Sequence, residues 1–381
     1  MKFSTLLSII LSAAPLCQAA SKQTEASPEP DFVFQVGTDG HKSYRIPAIV
    51  KAKDGTLLAF AEGRVNHAGD HGDINLVLRR STDEGKTWGE LIIVRDDGKN
   101  ICGNPAPVAL PNGDVMLVSC GSTGSEADNM HKGVPREIYF QISKDSGKTW
   151  SEATKITEQA RDKDWGWFAT GPGNAIVIKQ GKHKGRIVVP SNYSVKKNGN
   201  VVYEGSCFYS DDMGETWEIG ESATSNFRAN ESAVAEAAPN LLVQSFRAQN
   251  GAGQRLLRMS KDGGETWTTE KPAEEIAHNV CQGSLICDEH KKKVLYISAP
   301  GAKNKREDIT IYASANSGKS WPAAYTIRKG SHGYSNLVDM DKQTLGILYE
   351  SGRGQVDYPQ GGIVFETVPK STVTKSKNSR R

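Results

Sequence analysis

Five near-copies of one eight-residue segment limit the possible folds of this chain more than any other feature. Four copies have the pattern Ser-x-Asp-x-Gly-x-Thr-Trp, and the fifth has Asn and Ser in place of Asp and Thr. They occupy residues 81–88, 143–150, 210–217, 260–267 and 314–321. Ser and Asp side chains hydrogen-bond nearby backbone N–H groups, Gly adopts positive φ, and Trp buries a large ring. Each copy therefore predicts a tight turn that leads into a strand.

The spacing of these copies indicates one repeat architecture. From serine to serine, the copies lie 62, 67, 50 and 54 residues apart. A four-stranded propeller blade takes roughly 40–50 residues, and insertions lengthen it. Short strand patterns lie between the copies, for example residues 43–50 and 55–64, which an Asp54-Gly55 turn separates. We therefore predict an all-β fold, a six-bladed β-propeller in which five blades carry a repeat turn and one does not.

The sequence outside the repeats divides the chain further. Residues 1–20 have a signal-peptide pattern, with Lys2 before an apolar run and small residues at a cleavage site. Residues 21–30 form a polar linker, and residues 31–369 form the predicted propeller domain. Residues 370–381 carry five basic and no acidic residues, so we expect a disordered basic tail. The leader predicts a secreted, extracellular protein.

Composition argues against several functions. The formal net charge is +3, and removing the leader and the basic tail leaves a body near −3, which gives no reason to expect nucleic-acid binding. No segment after the leader reaches the 18 apolar residues that indicate a membrane span. The histidines lack metal-ligand spacing, and no phosphate-binding glycine motif occurs. We expect a monomer without metal or cofactor, and the odd number of mature cysteines leaves at least one thiol unpaired within the chain.

The chain resembles the sialidase (neuraminidase) superfamily, specifically its secreted and microbial exo-sialidases. The resemblance rests on the tripeptide Arg45-Ile46-Pro47, on the five repeats, which that family calls Asp boxes, and on polar residues in the expected order. It covers nearly the whole mature chain. It implies a six-bladed propeller with its site at the central axis, away from the Asp boxes. It also implies a retaining exo-α-sialidase that releases terminal sialic acids from glycoproteins, glycolipids and oligosaccharides through a tyrosyl-enzyme intermediate.

The resemblance assigns substrate-binding roles to charged residues. Arg45, Arg247 and Arg306 match the arginine triad that clamps the carboxylate of sialic acid. A planar guanidinium meets a carboxylate through two parallel hydrogen bonds, which explains why arginine serves this purpose. Glu350 matches the glutamate that holds Arg45 in place. Arg64 belongs to the same region and is a candidate to contact the C4 hydroxyl of the substrate.

The catalytic roles follow from the same resemblance. Tyr334 matches the nucleophile, Glu231 matches the base that activates it, and Asp70 matches the general acid/base. A neutral phenol escapes the repulsion that the substrate carboxylate would exert on a carboxylate nucleophile, but its pKa near 10 requires a neighbouring base. Tyrosine-nucleophile sialidases are a known exception to the two-carboxylate rule for glycosidases. Glu236 competes with Glu231, and Asp73 competes with Asp70.

Several further residues and functions stay open at this stage. Trp165, Trp167 and Phe168 are candidates for an apolar wall beside the N-acetyl or glycerol group, and Gln282 is a candidate pocket residue. Asn192 begins a glycosylation acceptor pattern. The alternatives are a non-catalytic propeller that binds sialic acid, a trans-sialidase, and an Asp-box glycosidase acting on neutral polysaccharide. Sialylated glycans are the expected partners.

Overall fold

The chain folds largely into β-strands, as its strand and turn pattern predicts. The structure, a computed structural model, describes Met1 and residues 31–224, 227–250, 253–277, 279–352 and 361–377. This part of the chain contains three short helices, α1 (Glu126–His131), α2 (Thr157–Ala160) and α3 (Lys370–Lys375), and none is long and apolar enough to cross a membrane. The all-β prediction is confirmed. The predicted leader, apart from Met1, and the linker lie outside the described residues.

The described strands form six successive antiparallel groups along the chain. Group one contains β2 (Ser43–Lys51), β3 (Leu57–Arg64), β4 (Ile74–Ser81) and β5 (Ile92–Arg95). Group two contains β6 (Ile101–Ala109), β7 (Val115–Ser122), β8 (Arg136–Ser143) and β9 (Thr154–Lys155). Group three contains β10 (Phe168–Thr170), β11 (Ile176–Val177), β12 (Ile187–Lys197), β13 (Asn200–Ser210) and β14 (Glu218–Ile219). Group four contains β15 (Ala229–Ala238), β16 (Leu241–Ala248), β17 (Gln254–Ser260) and β18 (Lys271–Ala277). Group five contains β19 (Ser284–Cys287), β20 (Leu295–Pro300), β21 (Glu307–Ser314) and the first half of β22 (Ala323–Asp339). Group six contains the second half of β22, β23 (Thr344–Ser351), β24 (Gly362–Pro369) and β1 (Phe32–Gln35).

Hydrogen bonding merges some of these groups. The described strands therefore form four sheets, of seven, five, four and eight strands. The long strand β22 belongs to both group five and group six, and one parallel contact between Ile74 and Ile101 joins groups one and two. Strand β1 pairs with β24, so strands from the two ends of the described fold lie in the same group.

The five repeat turns share one hydrogen-bond pattern. In the first copy, Ser81 Oγ donates to Asp83 Oδ1 at 2.8 Å and accepts from Gly85 N at 2.8 Å. The Asp83 carboxylate accepts the N–H of Thr87 at 2.9 Å and its hydroxyl at 2.6 Å. Gly85 has φ of +86°, which glycine adopts without steric strain. The serine contacts recur in the other four copies, with Asn316 replacing the aspartate in the last.

Apolar clusters pack each group against the next one. Separate clusters join groups one and two, two and three, three and four, four and five, and five and six. A further cluster joins the first group to the last, since it contains Tyr44 and Ile49 together with Leu348 and Phe365. Each group therefore buries apolar side chains on two sides, which is how repeated units without a core of their own are stabilised.

The segment from Lys370 onwards corrects the prediction of a disordered tail. Residues Lys370–Lys375 form α3, and the Lys370 side chain is only 1% exposed. Its Nζ lies 3.1 Å from Asp288 Oδ1 and 2.8 Å from Asp339 Oδ1. Charge counting treats this lysine as solvated, but two buried carboxylates compensate its charge. Val373 is also fully buried, so the prediction is wrong for α3, whereas residues 378–381 lie outside the described part.

The cysteines and the candidate glycosylation site are mostly buried. All five cysteines of the described chain have free thiols, and four of them are buried. Asn192, a candidate glycosylation acceptor, lies in β12 with no exposed surface. A glycan cannot be attached to a side chain that its strand neighbours enclose in this way. The glycosylation prediction for Asn192 is therefore wrong.

Candidate active site

One cavity of about 220 Å³ collects most of the predicted site residues, and all six strand groups contribute to its walls. Eight of the ten predicted residues line it: Asp70, Glu231, Tyr334, Arg45, Arg64, Arg247, Arg306 and Trp167. The other two, Glu350 and Gln282, are buried outside its lining. Residues distant in sequence therefore meet at one place, as the resemblance implied.

Irregular strand pairing brings three of these residues into the cavity. The register of β2 against β3 shifts between Arg45 and Ala48, and Ile46 within this shift has φ of +59°, unusual for a β-branched residue. Register shifts also flank Glu231 in β15 and Tyr334 in β22. Such irregularities re-aim side chains and often occur beside active sites.

Tyr334 is the centre of an acid–base pair. Its hydroxyl donates to Glu231 Oε1 at 2.5 Å and accepts from Arg247 Nη1 at 3.0 Å. Arg247 Nη1 also donates to Glu231 Oε2 at 2.8 Å. Burial and the charge of Glu231 raise the pKa of Tyr334 well above its ordinary value, although nearby arginines oppose this. At neutral pH the free protein therefore holds a neutral phenol whose proton faces a carboxylate.

Three arginines surround this phenol. The guanidinium carbons of Arg45 and Arg306 lie 5.0 and 5.5 Å from the centroid of the Tyr334 ring, and Arg247 bonds its hydroxyl. Arg45 and Arg247 have carboxylate partners, whereas Arg306 has none within ion-pair distance among the described residues. Its Nη2 instead donates to the carbonyl of Val280 at 2.9 Å. The cavity thus presents a partly buried cation to an incoming anion.

Glu350 connects Arg45 to the backbone beside the phenol. Its Oε1 accepts from Arg45 Nε and Ile46 N, both at 3.1 Å. Its Oε2 accepts from Arg45 Nη2 at 3.4 Å and from Tyr334 N at 3.0 Å. Its side chain is only 2% exposed, so these contacts are shielded from water. The position agrees with the predicted role of holding Arg45.

Asp70 lies at the exposed side of the cavity, in the loop after β3. Its side chain is 74% exposed, and its Oδ1 lies 2.6 Å from Arg64 Nη2 and 3.5 Å from Arg45 Nη1. The protein around the cavity partly desolvates the Asp70 carboxyl and acts to raise its pKa, but Arg64 and Arg45 outweigh this effect and hold that pKa below its ordinary value. Arg64 also bonds Glu62 Oε2 at 2.7 Å and the carbonyl of Ala68 at 2.5 Å. Arg64 thus fixes the Asp70 loop, and a contact with the substrate stays a prediction.

Three predicted pocket residues lie elsewhere. Gln282 has no exposed surface, and its amide bonds Ser335 N and Pro172 O behind the cavity. Phe168 is fully buried in the core, and Trp165 stacks on Tyr193 with 3.6 Å between the ring centroids. The prediction that these residues line the pocket is therefore wrong. Strand spacing alone did not show which side of the backbone each side chain occupies.

The two competing carboxylates lie outside the cavity lining. Glu236, near the far end of β15, accepts from Lys179 N at 2.7 Å and Gln180 N at 3.0 Å. Asp73 is likewise absent from the residues that line the cavity. The geometry therefore agrees with the choice of Glu231 and Asp70 over these competitors.

The cavity offers hydrogen-bond donors, and its residues are not arranged as metal ligands. Within the described part of the chain, no group of three or more His, Cys, Asp or Glu side chains has a geometry that would hold a metal ion. Five arginines line the cavity instead: Arg45, Arg64, Arg136, Arg247 and Arg306. Guanidinium groups bind carboxylates and sugar hydroxyls directly, so the arrangement suits an acidic sugar.

Comparison with known proteins agrees with this geometry. A family model described as a BNR repeat-like domain matches residues 55–361. A sialidase from Bacteroides fragilis is 31% identical in an alignment 348 residues long that covers 84% of this chain. The chain belongs to the sialidase superfamily. This family member spans about three-fifths of the length of that relative, since the match covers 62% of the bacterial protein.

Solved structures of sialidases share the fold. The Hadza microbial sialidase Hz136 is 29% identical, with a TM-score of 0.79 over 90% of this chain and 69% of that chain. The intramolecular trans-sialidase from Ruminococcus gnavus has a TM-score of 0.77 over 90% of this chain and 98% of that chain. Its identity is only 19%, so that likeness concerns the fold alone.

Sequence reasoning on this sialidase-family chain missed several residues that line the cavity. They are Glu62, Asn104, Glu126, Arg136 and Tyr203. Arg136 Nη2 donates to Asn104 Oδ1 at 2.5 Å, and Glu62 Oε1 accepts from Asn104 N at 3.0 Å. A signal existed for Glu62, which lies two residues before Arg64 and therefore on the same face of β3. The sequence held no comparable signal for Asn104 or Arg136.

Proposed function

We propose that this protein is a retaining exo-α-sialidase that hydrolyses terminal sialic acids through a covalent intermediate on Tyr334. The observation that carries the proposal is the 2.5 Å hydrogen bond from the Tyr334 hydroxyl to Glu231 Oε1, beneath a set of arginines. A buried phenol with a carboxylate placed to take its proton is suited to nucleophilic attack. Cationic groups around it are suited to a sugar that carries its own carboxylate.

The carboxylate of sialic acid occupies the space between Arg45, Arg247 and Arg306 in this proposal. Arg306 supports it most directly, because no carboxylate of the described chain pairs with it. Hydrogen bonds to charged groups contribute about 1.5–3 kcal/mol each, so a triad provides both affinity and orientation. The orientation brings the anomeric carbon, which bears the carboxylate, next to the Tyr334 hydroxyl.

Glu231 accepts the phenolic proton as Tyr334 attacks the anomeric carbon. The raised pKa of Tyr334 supports this order, because a free phenolate would be costly before the substrate arrives. Asp70 then protonates the departing glycosidic oxygen, and in the second step it activates the water that releases the sugar. Arg64 and Arg45 lower the pKa of Asp70 in the free protein. A substrate carboxylate on Arg45 offsets this effect and favours the protonated acid that the first step requires.

The proposal includes a closed six-bladed propeller around the cavity. Each of the six strand groups corresponds to one blade, and five of them contain a repeat turn between their last two strands. The apolar cluster shared by the first and last groups supports closure, together with the pairing of β1 and β24. Closure gives the six groups a common axis, and the cavity lined by all of them lies on it.

An assay with a fluorogenic α-sialoside tests the function. We expect the wild type to release the fluorophore, and we expect Tyr334→Phe to lose most of the turnover while still binding the substrate. Glu236→Gln is the matched control, because this carboxylate belongs to the same strand as Glu231 but lies outside the cavity. Equal rates for the wild type and Tyr334→Phe would remove the tyrosine from its proposed role.

Transfer to another acceptor is the second candidate, and the fold shared with the Ruminococcus gnavus trans-sialidase favours testing it. Following the product by NMR separates the outcomes. Hydrolysis with retention gives free α-sialic acid first, intramolecular transfer gives an anhydro sugar, and transfer to added lactose gives sialyllactose. The N-terminal sequence pattern supports secretion, which would bring the enzyme to sialylated glycoproteins and glycolipids outside the cell.

A further inference from the structure

Gln282 lies behind the cavity and contacts the strand that carries the nucleophile. Its side chain has no exposed surface. Its Oε1 accepts from the backbone N–H of Ser335 at 3.0 Å, and its Nε2 donates to the carbonyl of Pro172 at 3.1 Å. Ser335 directly follows Tyr334, and Pro172 belongs to group three. One buried amide therefore connects the backbones of groups three, five and six next to the nucleophile.

The strand register explains why this contact matters for Tyr334. The pairing of β22 with β23 shifts between His332 and Ser335, so the backbone around the phenol is irregular. Two successive N–H groups at the shift donate to side chains. Tyr334 N donates to Glu350 Oε2 at 3.0 Å, and Ser335 N donates to Gln282 Oε1. Side-chain acceptors on both sides of the tyrosine thus define the path of its backbone.

The residues just before Gln282 contact the same site. The carbonyl of Val280 accepts from Arg306 Nη2 at 2.9 Å, and Val280 has φ of +56°, strained for a β-branched residue. Cys281 packs in a small buried cluster with Ile46 and Tyr334. Three successive residues therefore contact an arginine of the clamp, the tyrosine side chain and the amide that follows it.

We propose that Gln282 is a positioning residue that sets where the Tyr334 hydroxyl lies relative to the anomeric carbon. The proposal rests on the proposed sialidase function. Reaction rates depend steeply on such geometry, since a displacement of about 1 Å costs roughly 100-fold in rate. Glu350, Glu231 and the Val280 carbonyl hold the three arginines of the clamp, and the Gln282 amide bonds none of these groups. Loss of the Gln282 amide therefore affects the chemical step more than substrate binding.

The test compares Gln282→Met with Gln141→Met. Methionine has a similar size but cannot bond Ser335 N or Pro172 O. We expect kcat to fall roughly 10- to 100-fold, from the cost of misplacing the hydroxyl. Affinity for a non-hydrolysable thiosialoside should stay within about threefold, well below the tenfold change that corresponds to 1.4 kcal/mol. Gln141 is also buried and bonds two carbonyls, but it lies outside the cavity lining, so its variant should lose stability and keep its kcat.

Gln282→Glu provides the conservative rescue. Burial favours the protonated form of a glutamate here, which keeps an oxygen for the Ser335 N–H and donates its O–H to the Pro172 carbonyl. Its kcat should therefore exceed that of Gln282→Met at a similar melting temperature. If Gln282→Met does not fold, Gln282→Asn replaces it, because the shorter amide cannot reach both partners and kcat should still fall. Wild-type kcat in a folded Met or Asn variant would overturn the proposal, as would equal losses of affinity and kcat. A wild type without sialidase activity would overturn the proposed function and this inference together.

Discussion

Replacing Glu350 with glutamine tests how the cavity holds Arg45 and Tyr334. The carboxylate accepts four hydrogen bonds, two on each oxygen, from Arg45, Ile46 N and Tyr334 N. A glutamine has one acceptor oxygen, and its NH₂ group would face two donors in either orientation. The substitution preserves shape and removes both the charge and half of the acceptor capacity.

The structure gives the size of the expected loss. Two of the four bonds disappear, and hydrogen bonds to charged groups contribute about 1.5–3 kcal/mol each, which gives roughly 3–6 kcal/mol. Breaking a buried ion pair by removing one partner costs about 3–5 kcal/mol, in agreement with this figure. For a domain of this length, about 1–2 °C per kcal/mol corresponds to a melting temperature lower by roughly 3–12 °C. If binding of the transition state also weakens by about 3 kcal/mol, kcat/KM falls more than 100-fold.

Differential scanning fluorimetry and steady-state kinetics on the same preparation measure both effects. Glu366→Gln is the matched control, because Glu366 also pairs through both oxygens with one arginine, Arg328, at 2.7 and 3.0 Å. Glu366 does not line the cavity and its side chain is 20% exposed, so we expect a smaller loss of stability and an unchanged kcat/KM. A Glu350→Gln protein that melts and turns over like the wild type would refute this reasoning.

Three further expectations concern the acid, the C-terminal helix and low pH. Asp70→Asn should lower kcat/KM by about 10²–10⁴-fold for a natural sialoside and far less for an aryl sialoside whose leaving group needs no proton, as parallel assays of the two substrates would show. Lys370→Met leaves two buried carboxylates without their cation, so the free energy of unfolding measured by denaturant titration should fall by about 3–5 kcal/mol. We expect its kcat/KM to stay unchanged. Hydrogen bonds from the following threonines hold the pKa values of Asp83 and Asp212 at about 2, below the usual value near 3.9. These carboxylates therefore stabilise the fold above a pH of about 4 and lose that effect as pH falls towards 2, so the melting temperature should drop in this range, and less so in Asp212→Asn.

The resemblance to the sialidase superfamily, which rests on short motifs in the sequence, predicted the residues that share the cavity. Arg45, Glu231, Arg247 and Tyr334 follow recognisable neighbours in the chain, and the structure brings all four within one cavity. The turns were predictable for a related reason. Each depends on contacts between residues two to four positions apart, so a local pattern contains all of the chemistry that forms it.

Residues whose partners are distant in sequence were harder to assign. Gln282 lies two residues after the strained Val280. Its bonding partners, Ser335 and Pro172, lie 53 and 110 positions away, so its sequence neighbours did not reveal that it is buried. Lys370 has the same difficulty, because a basic segment without acidic neighbours looks solvated until Asp288 and Asp339 are placed beside it. In both cases long-range pairing determined the environment of a polar side chain.

The strand pairing places the repeat turns and the cavity residues at opposite ends of the strands. In group one, Ser81 at the start of the repeat turn pairs with Leu57, whereas Arg64 pairs with Ile74 at the opposite end of the same two strands. Group four has the same arrangement, with Ser260 far along the strands from the shift that flanks Glu231. The repeat turns share one hydrogen-bond pattern that a repeated motif can encode, whereas the register shifts beside Arg45, Glu231 and Tyr334 differ from group to group. Substitutions in the turns should therefore change stability without changing kcat, and substitutions at the shifts should change kcat first.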